Sequence, residues 1–210
     1  MSDTVQALII ALPVLFFSMA LHEMMHALTS YRLGDDTAYH QGRISINPIR
    51  HIDPMLTIAF PLLLILAGSN VIFGAAKPVQ VNFNRLKYGE YGGAIVGMIG
   101  PLTNLVLAIV AALLLNGLNL TSGLAYKILG FTVLINIGFF VFNSIPWPPL
   151  DGSRLLYAFA PRPVQQFMEA IERMGLFGLA IFIFFFYQFI GPLMGNLIDK
   201  LVTGLAPGLL

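Results

Sequence analysis

The chain has 210 residues, of which 57% are hydrophobic and only 10% are charged, and its formal net charge is +1. Soluble domains carry about a quarter charged residues, so this composition indicates an integral membrane protein. The near-neutral charge gives no reason to expect a nucleic-acid partner, and the absence of cysteine excludes disulfides and thiolate metal ligands.

The first apolar run predicts a transmembrane helix from about Val5 to Tyr31. The preceding residues lack a basic side chain and the run is long enough to span, so we expect no signal peptide. His22 and His26 are four residues apart, which places both imidazoles on one face of the helix. Together with Glu23 they form an H-E-x-x-H pattern. In zinc hydrolases the two histidines of this pattern bind the metal and the glutamate activates water.

The chain after the first helix is polar and then apolar again. Arg43–Ile46 and Lys77–Asn82 alternate polar and apolar residues, and each predicts a short strand able to pair with the other. Basic residues concentrate around 32–90 and 154–173, which places both segments in the cytoplasm. A full span over 55–73 would carry three basic residues to the opposite side. We therefore predict a re-entrant segment there, with a full span as the open alternative.

Two further transmembrane helices are predicted over Tyr91–Leu115 and from Gly123 to about Phe142. The following stretch, Asn143–Gly152, contains too many prolines to be helical throughout. An amphipathic helix at 162–174 is predicted at the membrane interface, and a last transmembrane helix at 176–198.

These elements predict an all-α polytopic membrane protein with about 4–6 transmembrane helices, a re-entrant segment and short membrane-associated β-strands. Residues 1–210 form one domain in this interpretation, with a catalytic core of about 5–155.

A catalytic zinc site needs a third protein ligand besides two histidines. The candidates are His40, His51, Asp53, Glu90 and Asp151. Topology favours Asp151, because the helix before it ends on the same cytoplasmic side as the helix that carries His26. Asp151 could instead be an ordinary turn residue. His51 and Asp53 are the reserve ligands, although a role in ordering a loop is simpler for both.

Three motifs together resemble the signature of the site-2 proteases, intramembrane zinc metalloproteases that cut transmembrane segments of other proteins. The motifs are His22–Ala27, Gly100–Asn104 and Asn143–Gly152, and the resemblance covers about residues 5–155. It implies that His22, His26 and Asp151 bind one zinc ion per chain and that Glu23 is the general base.

The resemblance also implies that Asn104 lies near the scissile peptide, where it would bind the substrate backbone or the oxyanion. The segment 77–82 would be an edge strand on which an unwound substrate could pair. The role of Asn143, which opens the third motif, stays open. The chain departs from many family members in lacking a PDZ or CBS domain.

We therefore expect an intramembrane zinc endopeptidase that acts on single-span membrane proteins or peptides within the lipid bilayer. We expect it in a prokaryotic inner membrane, with the active site near the cytoplasmic side. The alternative is a zinc-binding transporter or a catalytically silent membrane scaffold. Lys127 is the one charged residue of the helices from 91 to 142, which argues against a polar transport path.

Overall fold

A computed structural model describes residues 2–59, 62–63, 66, 76–182 and 187–209. The described residues are mostly helical. In chain order the α-helices are α1 (Asp3–Arg32), α2 (Thr37–His40), α3 (Glu90–Gly117), α4 (Gly123–Asn143), α5 (Gly152–Phe159), α6 (Arg162–Arg173), α7 (Leu176–Ile181) and α8 (Tyr187–Leu205). Short 3-10 turns at Pro48–His51 and Phe83–Arg85 and a π-helical turn at Pro54–Ala59 lie between α2 and α3.

Among the described residues, three helices are long and apolar enough to cross a membrane: α1, α3 and α4. The predicted helices at 5–31, 91–115 and 123–142 are confirmed as elements, with ends that differ by at most two residues. The predicted number of four to six membrane helices is not confirmed by the described residues. The predicted last span, 176–198, corresponds to α7 and α8, and residues 183–186 between them lie outside the described part of the chain.

The predicted re-entrant segment at 55–73 falls mostly outside the described residues. The part that is described begins with the π-helical turn, whose first backbone N–H groups are bound by the Asp53 side chain: Oδ1 accepts from the N–H groups of Met55 and Leu56 at 2.8 and 3.0 Å. These few described residues give no support for re-entry.

The predicted strands at 43–46 and 77–82 are wrong, because neither segment is a β-strand in the structure. The two segments do lie together, but side chains join them instead of a backbone ladder. The guanidinium of Arg43 donates to the backbone oxygens of Arg50 and Lys77. Pro78 has no N–H to donate to a ladder. The predicted pairing of a substrate with an edge strand thus has no preformed strand as its basis.

Helix α3 lies at the centre and packs against α1, α4 and α5. Its contacts with α4 and α8 form the apolar core, which consists of Ala108, Ala111, Ala112, Leu115, Val133, Ile137, Val141, Val202 and Ala206. Small residues on α3 allow close helix approach, as is common in membrane bundles. The end of α3 that begins at Glu90 carries glycines toward α1 and α5, and this is where the polar side chains meet.

Candidate metal centre

The metal-binding candidates on α1 are held one turn apart and point inward. His22 and His26 are 6% and 7% exposed, and their Nε2 atoms are 2.9 Å apart. Asp151 follows the proline-rich turn after α4 and directly precedes α5. Its Oδ2 atom lies 3.0 Å from Nε2 of His22 and 3.4 Å from Nε2 of His26. The structure thus brings together the two histidines and the aspartate that topology favoured as third ligand.

The spacing of these three atoms suits a tetrahedral metal ion. Ligand atoms about 2.0–2.1 Å from zinc in a tetrahedron are about 3.3–3.4 Å from one another. The three observed separations, 2.9, 3.0 and 3.4 Å, are within a few tenths of an ångström of that value. Three protein ligands leave the fourth position open, as in catalytic zinc sites. The residues therefore fit zinc.

Gly100 on α3 creates the space that such an ion needs. A Cβ atom at this position would lie 2.3 Å from Nε2 of His26 and 2.6 Å from Nε2 of His22. These are the nitrogens that face Asp151, so any side chain at Gly100 would enter the space between the ligands. The glycine of the Gly100–Asn104 motif is thus explained by close approach of α3 to the two imidazoles.

The second nitrogen of each imidazole is fixed by an acceptor on α3. Nδ1 of His22 is 2.6 Å from Oδ1 of Asn104, and Nδ1 of His26 is 2.6 Å from the backbone oxygen of Val96. Because both partners are acceptors, the network assigns the proton of each ring to Nδ1 and leaves the Nε2 lone pairs for a metal. Such outer contacts orient metal-binding histidines.

Asn104 belongs to a buried chain of hydrogen bonds that crosses three helices. Its Nδ2 donates to Oδ1 of Asn136 at 2.7 Å, and Nδ2 of Asn136 donates to Oγ of Ser18 at 2.8 Å. Asn104 and Asn136 are 0% exposed. Ser18 lies one turn before His22 on α1, so the chain returns to the helix that carries the histidines. Both ends of the Asn104 carboxamide are therefore engaged within the protein.

Glu23 lies beside the metal-binding candidates and is half-buried. In the described part of the chain it makes no hydrogen bond or ion pair. Its negative charge nevertheless acts on residues of the loop after α1. Burial lowers the pKa of the Arg43 guanidinium, and the carboxylate of Glu23 opposes that shift. The carboxylate of Glu23 is thus unoccupied by protein donors and near the metal-binding candidates.

The other candidate ligands lie apart from this cluster. Within the described residues, His22, His26 and Asp151 form the one group of three that could hold a metal ion. His51 is fully buried, and its Nε2 is 2.8 Å from the backbone oxygen of Ser45. Burial lowers its pKa, and the positive charges of Arg43 and Arg50 add to this. Asp53 binds the π-helical turn, so both reserve ligands order the loop.

Two further candidates, His40 and Glu90, and the third-motif asparagine, Asn143, also lie apart from the cluster. His40 is exposed and lies 3.2 Å from the carboxylate of Asp36, four residues earlier. Glu90 lies in the exposed first turn of α3. Asn143 donates through Nδ2 to the backbone oxygen of Phe139 at 3.1 Å, within its own helix.

Sequence reasoning missed Asn136 and Ser18. Asn136 is an amide in the otherwise apolar helix α4, and a polar residue in a membrane span is a signal for an interhelical contact. That signal does not identify the partner, since Asn104 is 32 residues earlier in the chain.

No protein-family model matches the chain, and no solved structure matches it. Curated proteins do. "Putative zinc metalloprotease YwhC" of Bacillus subtilis is 35% identical over 187 residues, which are 85% of this chain and 79% of that protein. "Putative zinc metalloprotease Rip2" of Mycolicibacterium smegmatis is 34% identical over 145 residues, 64% of this chain and 51% of that protein. The Rip2 of Mycobacterium tuberculosis (strain Erdman) is 30% identical over 171 residues, 79% of this chain and 63% of that protein.

Proposed function

The chain belongs to the site-2 protease family of zinc metalloproteases, and we propose that it is an intramembrane endopeptidase that hydrolyses peptide bonds in or near the transmembrane segments of single-span membrane proteins. The observation that carries this proposal is the triangle of His22, His26 and Asp151 between helices long enough to span a membrane. Ionisable residues at such a position are functional by default, because burying them in a membrane is costly.

In this proposal, three residues bind the metal and a fourth transfers the proton. His22, His26 and Asp151 would hold one zinc ion, with both Nδ1 atoms bound to acceptors on α3. When bound, zinc supplies a Lewis acid that polarises the peptide carbonyl and lowers the pKa of water toward about 7. The carboxylate of Glu23 takes a proton from the attacking water and returns it to the leaving amine. Its lack of a protein partner leaves its oxygens available for this transfer.

Asn104 enters this proposal as the residue that orients His22. Its predicted position beside the scissile peptide stays a prediction. In the structure its oxygen faces His22 and its nitrogen donates to Asn136. Orientation of an imidazole through its second nitrogen is the usual role of a group in this position.

We also propose that the active site lies near the cytoplasmic side of a prokaryotic inner membrane. The basic residues that follow α1 and precede α3 support this orientation, since positively charged loops stay inside. Water would then reach Glu23 over a short distance from the end of α1 at Arg32.

Glu23→Gln tests the proposal. The substitution removes the base but no metal ligand, so we expect unchanged zinc content and complete loss of cleavage of a single-span reporter. Zinc is measured by elemental analysis of the purified protein, and cleavage by immunoblotting of cells that express the reporter. Full activity of Glu23→Gln would contradict the role of Glu23. Zinc binding by a wild-type protein that cleaves no reporter would instead indicate a silent scaffold.

A further inference from the structure

A cavity of about 460 Å³ lies between the loop at 41–52 and the segment at 77–80. It is lined by Gln41, Arg43, Ile49, Arg50, Ile52, Lys77 and Gln80. Every ionisable residue of this lining is a cation, and no acidic side chain is among the lining residues. We refer to it as the cationic cavity.

Hydrogen bonds within the protein hold the cationic cavity in shape. Arg43 is 3% exposed, and its guanidinium binds the backbone oxygens of the other two cationic residues, Arg50 and Lys77. Two other lining residues are also bonded to each other: Nε2 of Gln41 donates to Oε1 of Gln80 at 2.6 Å. One buried cation thus fixes the backbone positions of two more.

No acidic side chain among the described residues forms a direct ion pair with the cations of the cavity. Arg43, Arg50 and Lys77 thus differ from six other arginine or histidine side chains of the described residues, which pair with acidic residues outside this cavity. Like charges placed together cost free energy unless an anion joins them. This arrangement favours an anionic ligand.

The cationic cavity lies beside the membrane-spanning part of α1. Ile49 and Ile52 line both this cavity and a groove along Pro13–Ser18 of α1. Ser18 precedes Arg32, the end of α1, by fourteen residues, which is about 21 Å along a helix. The phosphate of a lipid stays at the headgroup level, so this depth favours an anion carried into the membrane by a peptide.

An apolar groove adjoins the cationic cavity. Ile49 and Ile52 line both, and the groove of about 690 Å³ continues along Pro13–Ser18 of α1 to Thr132 of α4. A ligand that occupies both spaces must be apolar over most of its length with an anionic group near one end. A transmembrane segment with one acidic residue has this chemistry.

We propose that the cationic cavity binds the carboxylate of an aspartate or glutamate in the substrate's transmembrane segment while the apolar groove holds the segment beside it, so that this acidic residue is a specificity determinant. The inference rests on the proposed proteolytic function and adds the substrate feature that the enzyme selects.

The test uses wild-type protein in liposomes and a reporter series in which glutamate, glutamine or lysine replaces one residue at a time along the cytoplasmic half of the span. At one or two adjacent positions, we expect the glutamate reporter to be cleaved about tenfold faster than the glutamine reporter and the lysine reporter more slowly still. We expect this ratio of cleavage rates because the glutamate would form one or two charge pairs, and each pair in a partly exposed site changes the rate by up to about fivefold.

Lys77→Glu reverses one charge of the cavity and should reverse the preference at the same positions, so that the lysine reporter becomes the better substrate. Lys87→Glu is the matched control, because it changes net charge equally at an exposed residue outside the lining. The control should keep the wild-type preference.

Equal cleavage of the three reporters at every position would overturn the inference, as would an unchanged preference in Lys77→Glu. A rate that follows the fraction of anionic lipid and ignores reporter charge would assign the cavity to a lipid phosphate, which also overturns it. Binding of the same reporters to Glu23→Gln protein, read by photocrosslinking, measures the preference without cleavage. A wild type that cleaves nothing therefore counts against the proposed function, and crosslinking without charge preference counts against this inference.

Discussion

At Gly100, a hydrogen atom in place of a side chain keeps the space between two imidazole rings open. We predict that Gly100→Ala lowers zinc affinity at least about tenfold and abolishes cleavage, since the added methyl would meet both Nε2 atoms at under 3 Å. Zinc content after dialysis against a competing chelator gives the measurement.

Gly138→Ala is the control for this prediction. A Cβ at that position on α4 meets nothing within 4 Å, so zinc content should stay at the wild-type level. Wild-type zinc content in Gly100→Ala would show that the ion is not held between the two rings.

Asn104 contacts His22 through its side-chain oxygen, whereas its predicted place beside the scissile peptide stays a prediction. We predict that Asn104→Ala weakens zinc binding by about 10–100-fold, because Nδ1 of His22 loses the acceptor that orients the ring. Zinc titration of the purified variants gives the affinity. Asn116→Ala, which removes an amide at the far end of α3, should match the wild type. Equal zinc affinity of Asn104→Ala and Asn116→Ala would contradict the role of Asn104 in orienting His22.

Much of the candidate metal centre could be predicted from single residues and their spacing. Helical periodicity places His22 and His26 on one face whatever the rest of the fold does. The third ligand depends on which side of the membrane a helix ends, so Asp151 needed the charge distribution as well. Asn136 could not be predicted as the partner of Asn104, because that contact depends on how two helices are rotated against each other.

At the scale of elements, the loops after α1 are held by side chains close to its C-terminal end. Asp35 is fully buried; its Oδ1 accepts from Oγ1 of Thr37 at 2.5 Å and its Oδ2 from the backbone N–H of Asn82 at 2.7 Å. Burial opposes ionisation, but these hydrogen bonds and the charge of Arg85 together lower the pKa of Asp35. Its stabilising effect is thus present above the ordinary pKa of about 3.8 and is lost as pH falls below it.

We predict that Asp35→Asn destabilises the protein by about 1–3 kcal/mol at neutral pH, because an amide cannot accept at both positions. Thermal unfolding in detergent measures the change. Asp36→Asn is the control; its pairs with His40 and Arg85 are exposed, so it should cost less than about 1 kcal/mol. Equal destabilisation by the two substitutions would contradict the assignment of Asp35 as the anchor of the 77–82 segment.

The prediction of strands at 43–46 and 77–82 was wrong because it used the residue pattern of each segment alone. Alternation of polar and apolar residues at Arg43–Ile46 shows that two faces differ, but it does not supply a neighbouring strand. Instead, the buried guanidinium of Arg43 donates to the backbone oxygens of Arg50 and Lys77 and so joins the two segments. A long charged side chain can therefore replace a ladder, and the residue pattern alone does not distinguish the two.

For the molecule as a whole, apolar length predicted the membrane helices well. Helices α1, α3 and α4 match their predicted ranges because about 20 apolar residues in sequence have few other stable environments. The close approach of α3 to α1 and α5 at the candidate metal centre follows from small residues on α3. A Cβ at Gly100 would lie 2.3 Å from Nε2 of His26 on α1, and a Cβ at Gly97 would lie 2.7 Å from Cβ of Arg154 on α5. Such close approach is a property of the packed bundle.

The central claim is that His22, Glu23, His26 and Asp151 cut a peptide bond inside the bilayer. The most direct measurement is mass spectrometry of the products formed by purified protein and a single-span substrate in liposomes. The account predicts two fragments whose new ends lie within the span, formed by wild type and not by Glu23→Gln. Cleavage confined to the water-exposed flanks, or equal products from Glu23→Gln, would contradict it.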